Sequence, residues 1–117
     1  MASLLAAFGI ARWICHDSER LLTPPHLLLL SVAYTALGAA SAEGGPLEGK
    51  TRALVKLAIA VGGQMEGAVH SHTRRAVEAG CSAEEIRHVA LLGVTTIGFP
   101  SMMKTLSWVE DVIGEKS

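Results

Sequence analysis

The sequence predicts an all-α fold, and three observations carry that prediction. Apolar residues recur three and four positions apart in several separate segments, the spacing that builds one face of a helix. No segment alternates apolar and polar residues between turn pairs, as a strand would. Ser82 and Glu85 form the S-x-x-E pattern of a helix capping box, placed directly after Gly80. Half of the 117 residues are hydrophobic and 18% are charged, which suits a packed domain rather than a disordered chain. A mean hydropathy of +0.37 is high for so small a protein. Small domains leave much of their surface exposed, so the chain is expected to be a homo-oligomer that covers apolar helix faces.

Met1 to Trp13 reads as a short amphipathic helix and Cys15 to Thr23 as a polar connection. Pro24-Pro25 suits a helix start, because proline is tolerated in the first turn, and a helix is predicted over His26–Ala40. Glu43-Gly44-Gly45-Pro46 is the clearest loop. It separates an N-terminal helical segment, 1–45, from a core, 46–117. A helix follows over Leu47–Val61, with Leu54, Leu57, Ala58 and Val61 at helical spacing, and Gly62-Gly63 ends it. The next helix, Gln64–Ala79, carries Met65, Ala68, Val69, His72, Ala76 and Val77 on one stripe. Gly80 follows as a C′ residue that enters the left-handed conformation freely. The helix opened by Ser82 places Ile86, Val89, Ala90, Gly93 and Ile97 on one face, and Gly98-Phe99-Pro100 breaks it. A last helix carries Met102, Leu106, Val109 and Ile113.

Several functions are disfavoured. Net charge is −1 and no basic cluster exceeds Arg74-Arg75, so nucleic-acid binding has no electrostatic support. Leu21 to Ala42 carries no Asp, Glu, Lys or Arg and is about long enough to span a bilayer. Two prolines break its start and His26, Ser31, Tyr34 and Thr35 interrupt it. Ala40-Ser41-Ala42 imitates a signal-peptidase site, but the leader is longer than the usual ~15–30 residues. The stretch therefore reads as a buried helix, with no membrane partner. Cys15 and Cys81 make neither C-x-x-C nor a zinc spacing, and read as unpaired thiols in a reducing cytoplasm. His70 and His72, two apart on a helix, point in nearly opposite directions and cannot chelate one ion. Glu66/His70 and Glu84/His88 have the i, i+4 spacing, and each reads as a solvated surface pair worth about 0.2–0.5 kcal/mol. No metal and no cofactor is expected. Gly62-Gly63 makes no phosphate loop, since neither a preceding strand nor a following G-K-[ST] is present.

Four pieces resemble one known family in order and spacing. Lys50-Thr51-Arg52-Ala53-Leu54-Val55 resembles a "K-T-R-E-L-I" helix start. His72-Thr73-Arg74-Arg75-Ala76 followed by Glu78-Ala79-Gly80 resembles "H-T-R-A-A-x-x-A-G". Ser82 to Val89 resembles "T-x-E-E-I-x-E-V", and Gly98-Phe99-Pro100 resembles "G-x-P" before a closing helix. Over Leu47 to Val112 the chain thus looks like the carboxymuconolactone decarboxylase / alkyl hydroperoxidase D superfamily. That resemblance implies a small helical bundle built on an antiparallel helix pair, assembled as a homotrimer or homohexamer with sites close to subunit interfaces.

The departures bear on chemistry. Peroxidase members carry Cys-x-x-Cys-x-x-x-His, but here Met65 and Ala68 stand at the cysteine positions. Ala53 stands where a proton-relay glutamate would fall, and only His72 survives. A thiol peroxidase needs one thiolate to attack the peroxide and a second thiol to resolve the sulfenic acid, so that cycle is not expected. The decarboxylase branch, with its "E-E-L-x-x-H-x-R-A" helix, resembles the stretch holding Glu66, His70 and His72. It implies a cofactor-free acid/base enzyme acting on a small organic acid or lactone. His72 would be general base or acid, assisted by His70 and Glu66. Arg74 would hold a substrate carboxylate, and Met65 would line the substrate side. Arg74 and Arg75 read otherwise as surface or interface charges. Two rival readings are a non-catalytic binding or assembly protein on the same fold, and an unusual peroxidase working through Cys81.

Overall fold

The structure, a computed structural model, describes residues 25–114. Within them the elements are helical and no strand occurs: α1 (Pro25–Ala42), α2 (Gly49–Gly62), α3 (Glu66–Glu78), α4 (Ala83–Leu92), α5 (Val94–Ile97) and α6 (Phe99–Ile113). The expected helix over Met1–Trp13 and the connection holding Cys15 and His16 lie outside the described residues. The chain divides into two compact units, Met1–Pro46 and Leu47–Ser117.

In the first unit, α1 starts at Pro25 and runs two residues past the expected end at Ala40. Its hydroxyls bond back along the helix, Ser31 to the Leu27 carbonyl and Thr35 to the Ser31 carbonyl, both at 3.0 Å. Here the expectation of a buried helix meets a correction. Ser31 is the one buried residue of α1, while Leu29 is 69% and Leu37 67% exposed. Apolar side chains are spread around this helix rather than gathered on one stripe. Among the described helices, α1 alone is long and apolar enough to cross a membrane, a test that a soluble core helix or a leader sequence also passes.

In the second unit, α3 packs against both α2 and α6, and α4 packs against α2 and α6. The core gathers Leu57, Ala60 and Val61 of α2, Val69 and Ala76 of α3, Ile86 and Ala90 of α4, and Val109 and Ile113 of α6. Each large aliphatic side chain fully removed from water contributes about 1.5–3 kcal/mol.

The buried stripe of α3 is rotated from the expected one. It consists of Val69, Thr73 and Ala76, and His72 sits at its edge, half-buried. Because α3 is covered from two sides, Thr73 falls between its neighbours although hydropathy does not mark it. A second hydroxyl, Thr105 of α6, is also fully buried. Thr105 donates to the Ser101 carbonyl at 2.9 Å and accepts from Gln64 Nε2 at 2.9 Å.

Gln64 carries the turn between α2 and α3. Gly63 is right-handed, and the left-handed residue of the turn is Gln64, with φ +53°. That conformation costs a non-glycine residue roughly 1–2 kcal/mol. The side-chain bonds of Gln64 to Thr105 and to the Val61 carbonyl, both 2.9 Å, offset it.

At the far end of α3, Gly80 takes φ +92° as a C′ glycine should, and the Cys81 amide reaches back to the Ala76 carbonyl at 3.0 Å. The capping box forms in full. Ser82 Oγ accepts from the Glu85 amide at 3.1 Å, and Glu85 Oε1 accepts from the Ser82 amide at 3.0 Å. Lys50 reaches the same carboxylate oxygen at 3.0 Å. Bonds from the Ser82 amide and from Lys50 hold the Glu85 carboxyl below its ordinary pKa. Replacing Ser82 with alanine is expected to cost about 1 kcal/mol, read as a lower urea midpoint with an unchanged slope.

α4 stops earlier than expected. Gly93 and the β-branched run Val94-Thr95-Thr96 are weak helix formers, and the chain closes into the short α5 instead. Gly98 then takes φ +89°, and Pro100 occupies the first turn of α6. Arg87 of α4 ties to Glu110 of α6 through two bonds, the second from Nη2 to Oε2 at 3.1 Å.

Candidate functional site

The candidate residues of α3 separate onto two flanks of its buried stripe. Successive helical residues turn by about 100°, so residues 70 and 72 point about 200° apart. Met65, Ala68 and His72 share one flank, at spacings of three and four. Glu66 and His70 share the other.

On the first flank, His72 is half-buried, and among the described residues nothing hydrogen-bonds its ring. Its pKa lies below the ordinary histidine value. Burial is the larger cause, followed by the positive charges of Arg75 and then Lys56. Lys56 is itself pushed down, by burial first and then by Arg75 and Arg52. Arg75 thus acts on both His72 and Lys56, and positive charge from two packed helices gathers beside the imidazole. Such a cluster attracts anions. Met65 is 51% exposed and its terminal methyl lies against Gly63, where an added Cβ would stand 2.9 Å from it. Ala53 and Ala68 pack partly buried against the core.

The guanidinium that acts on His72 is therefore Arg75, whereas Arg74 lies about 200° round the helix from His72. Arg74 is exposed and has interactions of its own. Lys56 was not singled out in the sequence. It sits one turn after Arg52 in the "K-T-R" helix, and that i, i+4 spacing of two cations was the available signal.

On the second flank, His70 Nε2 lies 3.0 Å from Asp111 Oδ2 of α6. Donor atoms of Glu66, His70 and Asp111 all fall within 4.8 Å of one another. Asp111 had no signal in the sequence, because 41 residues separate it from His70 and nothing local marks it.

Cys81 is a buried free thiol whose Sγ faces the Lys50 carbonyl at 3.9 Å. Burial, more than the nearby Glu85 charge, pushes the thiol up, away from the reactive thiolate.

His72 is expected to titrate below the ordinary value of about 6.5 when followed by ring proton NMR. The unfolded chain then binds this proton more readily than the folded one. Stability carried by His72 is present above about pH 6.5 and falls as the pH drops toward the lower folded value. A His72 ring titrating at or above the ordinary value would contradict the electrostatic picture.

Comparison with known proteins bears on the family. A stretch of 44 residues is 50% identical to an uncharacterized protein of Haemophilus influenzae, covering 38% of this chain and 39% of that protein. The chain thus aligns with about two-fifths of that relative's length. No solved structure matches the chain. The signature of the carboxymuconolactone decarboxylase family matches residues 30–111, beginning inside α1 and so reaching further back than Leu47. With most of its length matched by that signature, the chain belongs to the carboxymuconolactone decarboxylase family.

Proposed function

We propose that the chain is a cofactor-free acid/base enzyme acting on a small organic acid or lactone, with His72 as the proton-transfer group. The observation that carries this reading is the half-buried, unbonded His72 ring set beside Arg75 and Lys56. A lowered pKa keeps the imidazole neutral near pH 7, so it accepts a proton from a carbon acid and returns it as imidazolium. The cations suit a substrate carboxylate, since charge-assisted hydrogen bonds are stronger than neutral ones. Arg75 and Lys56 take the holding role first considered for Arg74. Met65 lines the same flank and meets the apolar part of the substrate. His70 and Glu66, on the other flank, assist only indirectly through the packing of α3.

The test is a ring-NMR titration of His72 with small mono- and dicarboxylates and unsaturated lactone acids. A bound carboxylate offsets the charges of Arg75 and Lys56 and should raise the His72 pKa. Loss of that response in Lys56→Met and Arg75→Met, with turnover of at least one ligand by the wild type, is the expected result. No response to any carboxylate would overturn the reading.

Exposed Val55 and Ile59 of α2 and Phe99 and Met103 of α6 support a homo-oligomer of the trimeric or hexameric type. The three-residue link between packed α2 and α3 supports the antiparallel helix pair. The free thiol of Cys81 supports a reducing cytoplasm. A non-catalytic binding protein is the second reading, favoured by Ala53, Met65 and Ala68 at positions where the resemblance places reactive groups. The peroxidase reading is opposed by the burial of Cys81.

A further inference from the structure

The geometry points to a divalent transition-metal site formed by Glu66 and His70 of α3 with Asp111 of α6, on the flank of α3 away from His72. This proposal stands independently of the acid/base reading. Glu66 and His70 are one helical turn apart, the spacing at which two side chains of one helix reach a common ion. Packing of α3 on α6 adds the third donor, and all three donor atoms lie within 4.8 Å of one another. Donors sharing a tetrahedral ion at ~2.1 Å stand about 3.4 Å apart. His70 Nε2 and Asp111 Oδ2, at 3.0 Å, already have nearly that separation. Glu66 and Asp111 are exposed, so modest rotations of their side chains close the remaining distance.

The donor set selects the ion. One imidazole and two carboxylates suit Zn²⁺, Co²⁺ or Mn²⁺ better than a soft ion that demands thiolates. Three protein donors leave a further position for water or an anionic ligand. Binding releases the His70–Asp111 hydrogen bond and joins α3 to α6 through the metal, so the ion should raise the melting temperature. Arg74, one turn beyond His70 and engaged in interactions of its own, is the cation on this edge of α3. It makes an ion with retained anionic ligands easier to hold than a bare one.

Glu84 and His88 of α4 provide an internal control. They share the i, i+4 spacing, but among the described residues no third donor joins them. The experiment is a Co²⁺ titration of tag-free protein followed by visible absorption, with Zn²⁺ displacement, on the wild type and four variants. The wild type is expected to bind one Co²⁺ per chain with a tetrahedral or five-coordinate spectrum and no thiolate charge-transfer band. Asp111→Asn and His70→Ala should weaken binding at least tenfold, in line with loss of a metal ligand, and Glu66→Gln should weaken it too. His88→Ala should bind as the wild type. Circular dichroism confirms that each variant is folded, and the exposed Asp111 makes Asp111→Asn the variant least able to disturb the core. No stoichiometric binding by the wild type would overturn the site. So would a thiolate band, or binding unchanged in Asp111→Asn and His70→Ala.

Discussion

Replacing His72 with glutamine is expected to lower turnover of the carboxylate substrate by roughly 10²–10⁴-fold, the usual contribution of a positioned general acid or base. Glutamine keeps a polar side chain of similar reach but cannot carry the proton. The loss should appear in kcat more than in KM, because Arg75 and Lys56 still hold the carboxylate. Lys56→Met should show the reverse pattern, a raised KM with a smaller change in kcat. The pH profile of the wild type supplies a second check. With His72 as the base, kcat/KM should rise through a pKa below the ordinary histidine value, the direction set by burial and the two cations. Wild-type activity in His72→Gln would remove the catalytic assignment and leave the binding reading in its place.

Leu57→Ala is expected to cost about 3 kcal/mol, within the range of roughly 2–5 kcal/mol for leucine truncation in a packed core. Leu57 has no exposed surface and lies at the centre of the cluster joining α2 to Val69, Ile86 and Val109. The substitution removes apolar contact and leaves a cavity that close-packed neighbours fill only in part. A urea melt should show the lower midpoint at every protein concentration. Ile59, two residues away and 66% exposed, provides the contrast. Ile59→Ala should change the stability of an isolated chain by no more than about 0.5 kcal/mol. If a second copy covers that face, its cost should instead grow as the protein concentration rises and shrink on dilution. Equal small losses in both variants would mean that the core has been misplaced.

The contrast between these residues shows what local patterns convey. Helix periodicity, Gly80, the Ser82/Glu85 box and Gly98-Phe99-Pro100 are short-range signals, and the helices begin and end close to where they indicate. Hydropathy could not mark Thr73 and Thr105 as core, since their burial depends on which elements cover them. Nor could glycine content place the left-handed residue on Gln64. Its conformation is held by a bond to Thr105, 41 residues away.

The sequence by itself determined the all-α class, the family and the absence of a Cys-x-x-Cys thiol pair ahead of His72, because each is written in residue identity and near-neighbour spacing. Only the tertiary structure decided which groups meet. It turned His70 from His72 and toward Asp111, brought Arg75 and Lys56 rather than Arg74 to act on His72, and left the apolar surface of α1 exposed. The physical reason is that helix spacing gives the direction of a side chain but not what lies there. The partner is set by how α2 and α6 pack against α3, through contacts between residues far apart in the chain.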